Sequence, residues 1–383
     1  MRFSIDAHAI GCRLTGNEVY VRNLLTNLAS LEPGAEFLAY LSAEDANGWV
    51  PARVRRRTVS RNPFLRLGYE LSGRLRQDRP DLVHVQYTAP LACPVPVVVS
   101  VHDVGFLEHP EYFRFLRRTQ LCLTVRRTVR MAAKVVTGSE FSRTAIARAY
   151  GLDPDDIAVV PNAASAIFRP MDRAAAAGRL RARFGVSDPF VLTVGDLQPR
   201  KNQAGLIRAF ARLVRHTPRL PHKLLIAGKD TWFSPRVRQA ARLSGAGDRI
   251  HFLGFVGDED LLLLYNACDV FAFPSFYEGF GLPILEAMAC GCAVACSNAS
   301  ALPEVADAAA ILFDPHSADD MARALADLLL DRELRARMRK LGLSRAAQFS
   351  WRETAERTLK IYHEVVGRGR VRVKSLASAP VST

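Results

Sequence analysis

Short runs of β-branched and apolar residues alternate with longer mixed segments along nearly the whole chain, and they do so in two series. In the first, the runs at 2–7, 37–41, 82–86, 95–101, 134–137 and 157–160 read as strands, and helices fill 18–31, 65–76, 113–130 and 142–150. Strands separated by helices predict a mostly parallel sheet covered on both faces. Pro161, Pro170 and Pro189 then interrupt the pattern, which restarts with strands at 190–194, 223–227, 249–253, 270–273 and 293–296 and helices opening near Asn202, Pro235, Asp258 and Pro283. An α/β protein of two similar parallel-sheet domains is expected, over residues 1–168 and 169–349. The length, 383 residues, agrees with two domains at about 150 each.

Parallel sheets of this kind bind ligands beyond the carboxyl ends of their strands, and two in series are expected to face each other across a cleft. The charge balance says what such a ligand carries. Lys and Arg number 52 against 38 Asp and Glu, a net charge of +14, and only 7 of the 52 are lysine. An arginine-rich surface favours phosphate. Arginines concentrate at 53–57, 114–134 and 368–374, which reads either as a solvated face or as one attracted to anionic lipid. The opening MRFSIDAHAI lacks the pattern of a secretory signal, and no run reaches 18 apolar residues, so a cytoplasmic protein, at most peripheral on a membrane, is expected. The seven cysteines show no CxxC spacing; Cys268, Cys290, Cys292 and Cys296 lie in apolar surroundings and read as buried thiols, with neither a structural metal nor a disulfide framework. No nucleic-acid module is recognisable.

Two stretches in the second series carry chemistry. After an apolar strand comes PSFYEGFGLPILEAM, in which glycines permit a tight turn and Pro283 suits the first turn of a helix. The backbone from Phe280 through Gly281 to Leu282 then presents a helix N-terminus to an anion. Glu286, one turn in, is placed for a neutral diol such as a ribose, and Glu278 for sugar hydroxyls near the anion. The other stretch is VGDLQPRKN, where Gly195 permits close backbone approach, Arg200 and Lys201 can neutralise a diphosphate leaving group, and Asn202 caps the next helix. Neither GxGxxG at the first strand nor GxxxxGK[ST] is present, which excludes the usual dinucleotide and P-loop sites.

In the first series, SVHDV puts His102 and Asp103 in a loop after a strand. His102 would hold a sugar hydroxyl, with Asp103 orienting it or reaching a sugar itself; no hydrolytic triad can be assembled. GCRLTGNEVY offers Gly16 for close approach of a phosphate or acceptor, with Asn17 as a helix cap, and GSEFSR offers Arg143 to an acceptor phosphate or an ordinary cap. Trp351 and Tyr362 lie on a closing amphipathic segment and read as packing anchors.

Together TGNEVYVRNLL, VHDVGFLEHPEYF, GSEFSR, VVPNA, VGDLQPRKN and EGFGLPILEAMACG resemble the retaining nucleotide-sugar glycosyltransferases of family 4, with the GT-B architecture of two Rossmann-like domains, over residues 1–366. The resemblance implies that Arg200 and Lys201 bind the donor diphosphate, Glu286 the ribose and Glu278 the donor sugar. It further implies that His102 contacts that sugar near its anomeric carbon, that Gly16 lines the phosphate or acceptor side, and that no metal or other cofactor is needed. The final helix, 350–366, is then expected to cross back onto the first domain, leaving a flexible tail at 367–383. The opening loop departs from the commoner GxGRY form. The donor implied is GDP-mannose, with UDP-glucose or UDP-N-acetylglucosamine as alternatives. The acceptor is a saccharide or a polyprenyl-diphosphate-linked saccharide of cell-envelope or exopolysaccharide synthesis. A nucleotide-sugar epimerase and a non-catalytic nucleotide-sugar-binding module remain as other readings.

Overall fold

The computed structural model describes residues 1–12, 15–42 and 48–377. The chain forms two compact units, Met1–Asn162 with Ser350–Thr383, and Ala163–Phe349. The first unit holds β1 (Arg2–Asp6), β2 (Glu36–Leu41), β3 (Arg55–Thr58), β4 (Leu82–Gln86), β5 (Val97–Ser100), β6 (Lys134–Thr137) and β7 (Ile157–Val159), in one sheet of order β3-β2-β1-β4-β5-β6-β7. All its pairings are parallel, with Phe3 opposite both Phe37 and Leu82. Parallel neighbours need crossover helices, which cover both faces and account for the wholly buried runs LVHVQ and VVVS.

The second unit holds β8 (Phe190–Val194), β9 (Lys223–Ala227), β10 (Ile250–Gly254), β11 (Val270–Phe273), β12 (Ala293–Ser297) and β13 (Ala310–Phe313), again all parallel, in the order β10-β9-β8-β11-β12-β13. The order reverses between β8 and β11. At such a switch point the chain leaves the two adjacent strands toward opposite faces, and a crevice opens between the loops that follow them.

The closing helix Trp351–Ala377 belongs to the first unit and packs on the helix Thr15–Leu31. Tyr362 is fully buried with its ring 5.2 Å from that of Phe3, Trp351 lies 6.0 Å from Tyr20, and His363 Nε2 meets Glu32 Oε2 at 2.8 Å. Thr354 Oγ1 donates to the carbonyl of Pro161 at 2.6 Å, which fastens the helix where β7 runs out.

The structure corrects the sequence reading at several points. The division falls at Asn162 and Ala163 rather than at 168, because Phe168 is buried in the core of the second unit, 5.7 Å from the Tyr265 ring. The prolines flank a helix, Arg173–Phe184, capped by Asp172 and closed by Gly185 in the left-handed region. The closing helix runs on to Ala377 where a tail from 367 was expected; the rest of that tail, 378–383, lies outside the described residues. The arginine cluster at 53–57 is largely the edge strand β3. Arg55 pairs with Glu36 at 3.2 Å and Arg57 with Asp78 at 2.9 Å, while Arg53 and Arg56 donate to the carbonyls of Ala29 and Val50. RRRT has no apolar alternation, so its strand character was illegible, and its charge is spent on guarding a sheet edge.

Candidate active site

The loops after β8 and β11 meet at the switch point of the second unit. In the first, Gly195 has φ +150°, and a Cβ there would press on Lys201 Cδ and Cε at 3.2 Å, so the missing side chain is what lets the lysine fold back over the strand end. Pro199–Lys201 is a short 3-10 turn, and Asn202, at φ +51°, caps the helix Gln203–His216 by accepting from the Gly205 N–H at 3.2 Å. In the second loop, the Phe276 N–H donates to the Arg200 carbonyl at 2.8 Å and Arg200 Nη1 donates to the Tyr277 carbonyl at 3.0 Å. The two loops are thereby stitched together backbone to backbone and side chain to backbone.

Between them sits one carboxylate with two cations. Glu278 Oε1 accepts from Lys201 Nζ at 2.6 Å, and Oε2 lies 2.7 Å from Arg200 Nη1. Glu278 and Lys201 are nearly buried, and the ammonium also stands 4.8 Å over the face of Phe273. Burial alone would raise the pKa of Glu278, but the two cations outweigh it and hold the carboxyl down to about 2. Burial likewise lowers the pKa of Lys201, against the opposing pull of Glu278. With Glu278 ionised, the trio carries a net charge of about +1 at the mouth of the sheet.

Beside it the helix Leu282–Ala289 opens. Its N-cap, Gly281, has φ +106°, and a Cβ there would come within 2.7 Å of Leu302 Cδ2, so the turn requires glycine on both counts. The first N–H groups of a helix lack intrahelical acceptors and present a partial positive charge, here at the end of the loop whose Phe276 and Tyr277 are hydrogen-bonded to Arg200. Phe280 is buried, with its ring 6.0 Å from Phe349. Glu286, one turn into the helix and 7% exposed, accepts from the buried Tyr265 hydroxyl at 3.1 Å. Tyr265, which the sequence reading missed, sits on the helix Asp258–Ala267 as one of many apolar-looking positions in DEDLLLLYNA, and nothing in that run marks its hydroxyl.

In the first unit, His102 follows β5, and its Nε2 faces Gln86 Oε1 at 2.9 Å. Gln86 Nε2 donates to the Asn17 carbonyl at 3.3 Å, so its Oε1 is the end turned to the ring and the proton belongs on His102 Nε2. Burial pulls the His102 pKa down to about 4, leaving a neutral imidazole at pH 7. Gln86, also missed, is the last residue of β4, a polar side chain at the carboxyl end of a buried strand. The ring of His102 stands edge-on to Tyr20 at 4.7 Å, and a buried polar chain runs on from there. Tyr20 Oη bonds Ser100 Oγ at 2.8 Å, Ser100 bonds His84 Nε2 at 2.7 Å, and His84 Nδ1 bonds Tyr362 Oη at 2.6 Å. The closing helix is thus wired to the strand pair that carries His102.

The other residues are placed as follows. Asp103 Oδ1 accepts from the Gly105 N–H at 2.9 Å in a local turn, and Ser142 Oγ donates to the His102 carbonyl at 3.1 Å. Arg143, the next residue in the helix Glu140–Tyr150, pairs with Glu140 at 2.6 Å, while Ser139 caps that helix. Gly16 and Asn17 lie inside the helix that begins at Thr15, so Asn17 is not its cap; its carbonyl serves Gln86 instead. A Cβ at Gly16 would meet nothing within 4 Å. Residues 13–14 of the same motif lie outside the described residues. Among the described residues no group of three or more His, Cys, Asp or Glu could hold a metal ion.

Two family models match, Glycosyltransferase Family 4 over residues 14–165 and Glycosyl transferases group 1 over residues 180–345. O-antigen chain mannosyltransferase B of Escherichia coli is 34% identical over 265 residues, covering 69% of this chain and 69% of that protein. The chain belongs to glycosyltransferase family 4. Serotype-specific mannosyltransferase WbdA, also of Escherichia coli, is 36% identical over 177 residues, which is 46% of this chain and 22% of that longer protein. Among solved structures, sucrose-phosphate synthase from Thermosynechococcus elongatus superposes on this glycosyltransferase with a TM-score of 0.79 at 22% identity, covering 96% of this chain and 99% of that one. That likeness shows the GT-B fold. Among the described residues of the glycosyltransferase, no helix is long and apolar enough to cross a membrane.

Proposed function

We propose that this hexosyltransferase moves mannose from GDP-mannose, with retention at the anomeric carbon, onto a hydroxyl of a saccharide or lipid-linked saccharide in cell-envelope polysaccharide synthesis. The observation that carries the proposal is the Arg200–Lys201–Glu278 trio between the loops of β8 and β11. As the sugar–phosphate bond breaks, negative charge collects on the departing diphosphate, and a preorganised pair of cations is worth most at that moment. Arg200, Lys201 and the helix N-terminus at Gly281 and Leu282 receive the diphosphate, and Gly195 leaves it room. Glu286, oriented by Tyr265, accepts from the ribose hydroxyls. Glu278 holds both cations in register and accepts from the sugar.

No covalent intermediate is assigned to Glu278. A carboxylate held near pKa 2 by two cations is a weak nucleophile. Retention is better served by an acceptor that attacks from the leaving-group side while a donor phosphate oxygen takes its proton. His102, neutral and with its Nε2 proton given to Gln86, positions a sugar hydroxyl. Gly16, Asp103 and Arg143 are assigned to the acceptor side. The cations and the helix dipole do the work a divalent ion would do. Mannose is supported by the names of the two Escherichia coli relatives.

A donor panel tests the reading. GDP-mannose, UDP-glucose and UDP-N-acetylglucosamine are offered in excess EDTA, and the anomeric configuration of the product is read by NMR. Transfer of α-mannose from GDP-mannose is expected. Transfer from a UDP-sugar alone, a β-linked product, or activity restored only by Mg²⁺ or Mn²⁺ would each overturn the corresponding part.

A further inference from the structure

We infer that the second unit carries another anion site, at the end of its sheet away from the Arg200–Lys201–Glu278 trio, where Arg335 and Arg339, with Arg332 at the rim, take a phosphate dianion, free or as a phosphomonoester. Asp269 immediately precedes β11 and His222 immediately precedes β9, so both stand at the amino ends of the strands. Asp269 is nearly buried. Its Oδ1 lies 2.9 Å from Arg173 Nη2 and 3.9 Å from Arg339 Nη2, and its Oδ2 faces His222 Nε2 at 3.2 Å. The helix Arg332–Ala346 supplies Arg332, Arg335 and Arg339, whose spacing of three and then four residues sets them on one face.

One carboxylate does not balance this group. The guanidiniums of Arg173, Arg335 and Arg339 gather round it, an excess of two positive charges before Arg332 and His222 are counted. Burial lowers the pKa of Arg335; Asp269 opposes that, and repulsion from Arg339, Arg173 and Arg332 adds to it. Two of the three arginines have hydrogen-bond acceptors. Arg173 donates to Asp269 and to the Cys268 carbonyl, and Arg335 Nη1 to the carbonyls of Leu328 and Leu329. Arg339 has none: 3.9 Å is too long for a hydrogen bond, and its Nε is a buried donor without an acceptor among the described residues. A buried donor left unmade is costly, so an acceptor belongs there. Asp331, at the head of the same helix, is engaged in capping it, accepting from the Leu334 N–H at 2.9 Å. The chemistry selects the occupant. A carboxylate would offset one of the two excess charges and a phosphate dianion both, with oxygens that fit the edges of two guanidiniums. Arg173 and Arg339 keep 41% and 30% of their side-chain surface exposed, which leaves a small anion its way in.

The donor trio lies beyond the carboxyl ends of β8 and β11 and this cluster at the amino ends of β9 and β11, so the two sites fill independently. The full chain is titrated calorimetrically with inorganic phosphate and with mannose 6-phosphate at constant ionic strength, with and without saturating GDP. Saturable binding of one phosphate group per chain is expected in both conditions, and Lys201→Ala should leave it unchanged. Arg339→Gln should weaken it about tenfold or more, and Arg332→Gln/Arg339→Gln further. GDP affinity should stay at its wild-type value, and so should the melting temperature without phosphate, since Arg339 makes no hydrogen bond in the fold. If Arg339→Gln nevertheless melts lower, the exposed Arg332→Gln carries the same test with a smaller loss. Tighter binding of mannose 6-phosphate than of inorganic phosphate assigns the site to a phosphomonoester, and the reverse assigns it to the free ion. No saturable binding by the wild type, equal affinity in wild type and the arginine variants, or binding that GDP abolishes would overturn the inference.

Discussion

Glu286 shows how a single side chain can be tested apart from the reaction. It is buried, hydrogen-bonded to Tyr265, and one helical turn from the proposed diphosphate site, and the role proposed for it is binding the nucleoside rather than bond breaking. Glu286→Ala should weaken GDP affinity about tenfold or more, since hydrogen bonds to a charged group contribute roughly 1.5–3 kcal/mol. Acceptor KM should be unchanged. Calorimetry reads the first and initial rates the second; wild-type GDP affinity in a folded Glu286→Ala protein would remove the ribose assignment. Tyr265→Phe should give a smaller loss in the same direction, because it frees the carboxylate without deleting it.

At the scale of elements, the closing helix offers a comparable test. Its Tyr362 hydroxyl reaches His84, and through Ser100 and Tyr20 the contact continues to the His102 ring. Tyr362→Phe leaves the ring packing on Phe3 but strips a partner from a buried imidazole, a loss of roughly 1–3 kcal/mol of stability. If the chain positions His102, kcat should fall while GDP affinity holds; a lowered melting temperature with wild-type kcat would show a purely structural bond. The helix itself was legible, as amphipathic spacing with Trp351 and Tyr362 on one side, whereas the chain it completes was not. Ser100 and His84 look like ordinary strand residues until β4 and β5 are set side by side. Legibility failed in the same way at β3, where RRRT carries no period, and at the helix Arg173–Phe184, whose alanine-rich sequence hid behind its flanking prolines. Central strands such as VFAF, buried on both faces, were readable because burial leaves only apolar choices. The Arg200, Lys201 and Glu278 positions were likewise marked by strand–glycine–cation and strand–turn–helix patterns, but not their mutual ion pairing, which depends on β8 lying next to β11.

For the whole molecule, the buried titratable groups act together on the acid side. Burial takes His84 down to about 3 and His102 to about 4, so the unfolded chain binds more protons than the folded one from about pH 6.5 downward. Glu278, held to about 2, adds the same sign once the pH falls below the ordinary carboxylate range near 4.5. Stability from these groups is therefore complete above about pH 6.5 and is lost as pH falls, with a slope of up to about 1.4 kcal/mol per pH unit for each histidine. A melting series from pH 8 to pH 4 should be flat at first and then decline, and His84→Gln should decline less steeply than wild type. An equal slope in the two proteins would mean that His84 is not held neutral by the fold.

The cations between β8 and β11 are the centre of the proposed donor site. The direct measurement is a calorimetric titration of GDP, in EDTA, into the wild type and into Lys201→Ala. Removing an ammonium that faces the diphosphate should weaken binding about a hundredfold, roughly 3 kcal/mol, with the protein still folded. Equal GDP affinity in the two proteins would contradict the assignment of this trio as the donor site.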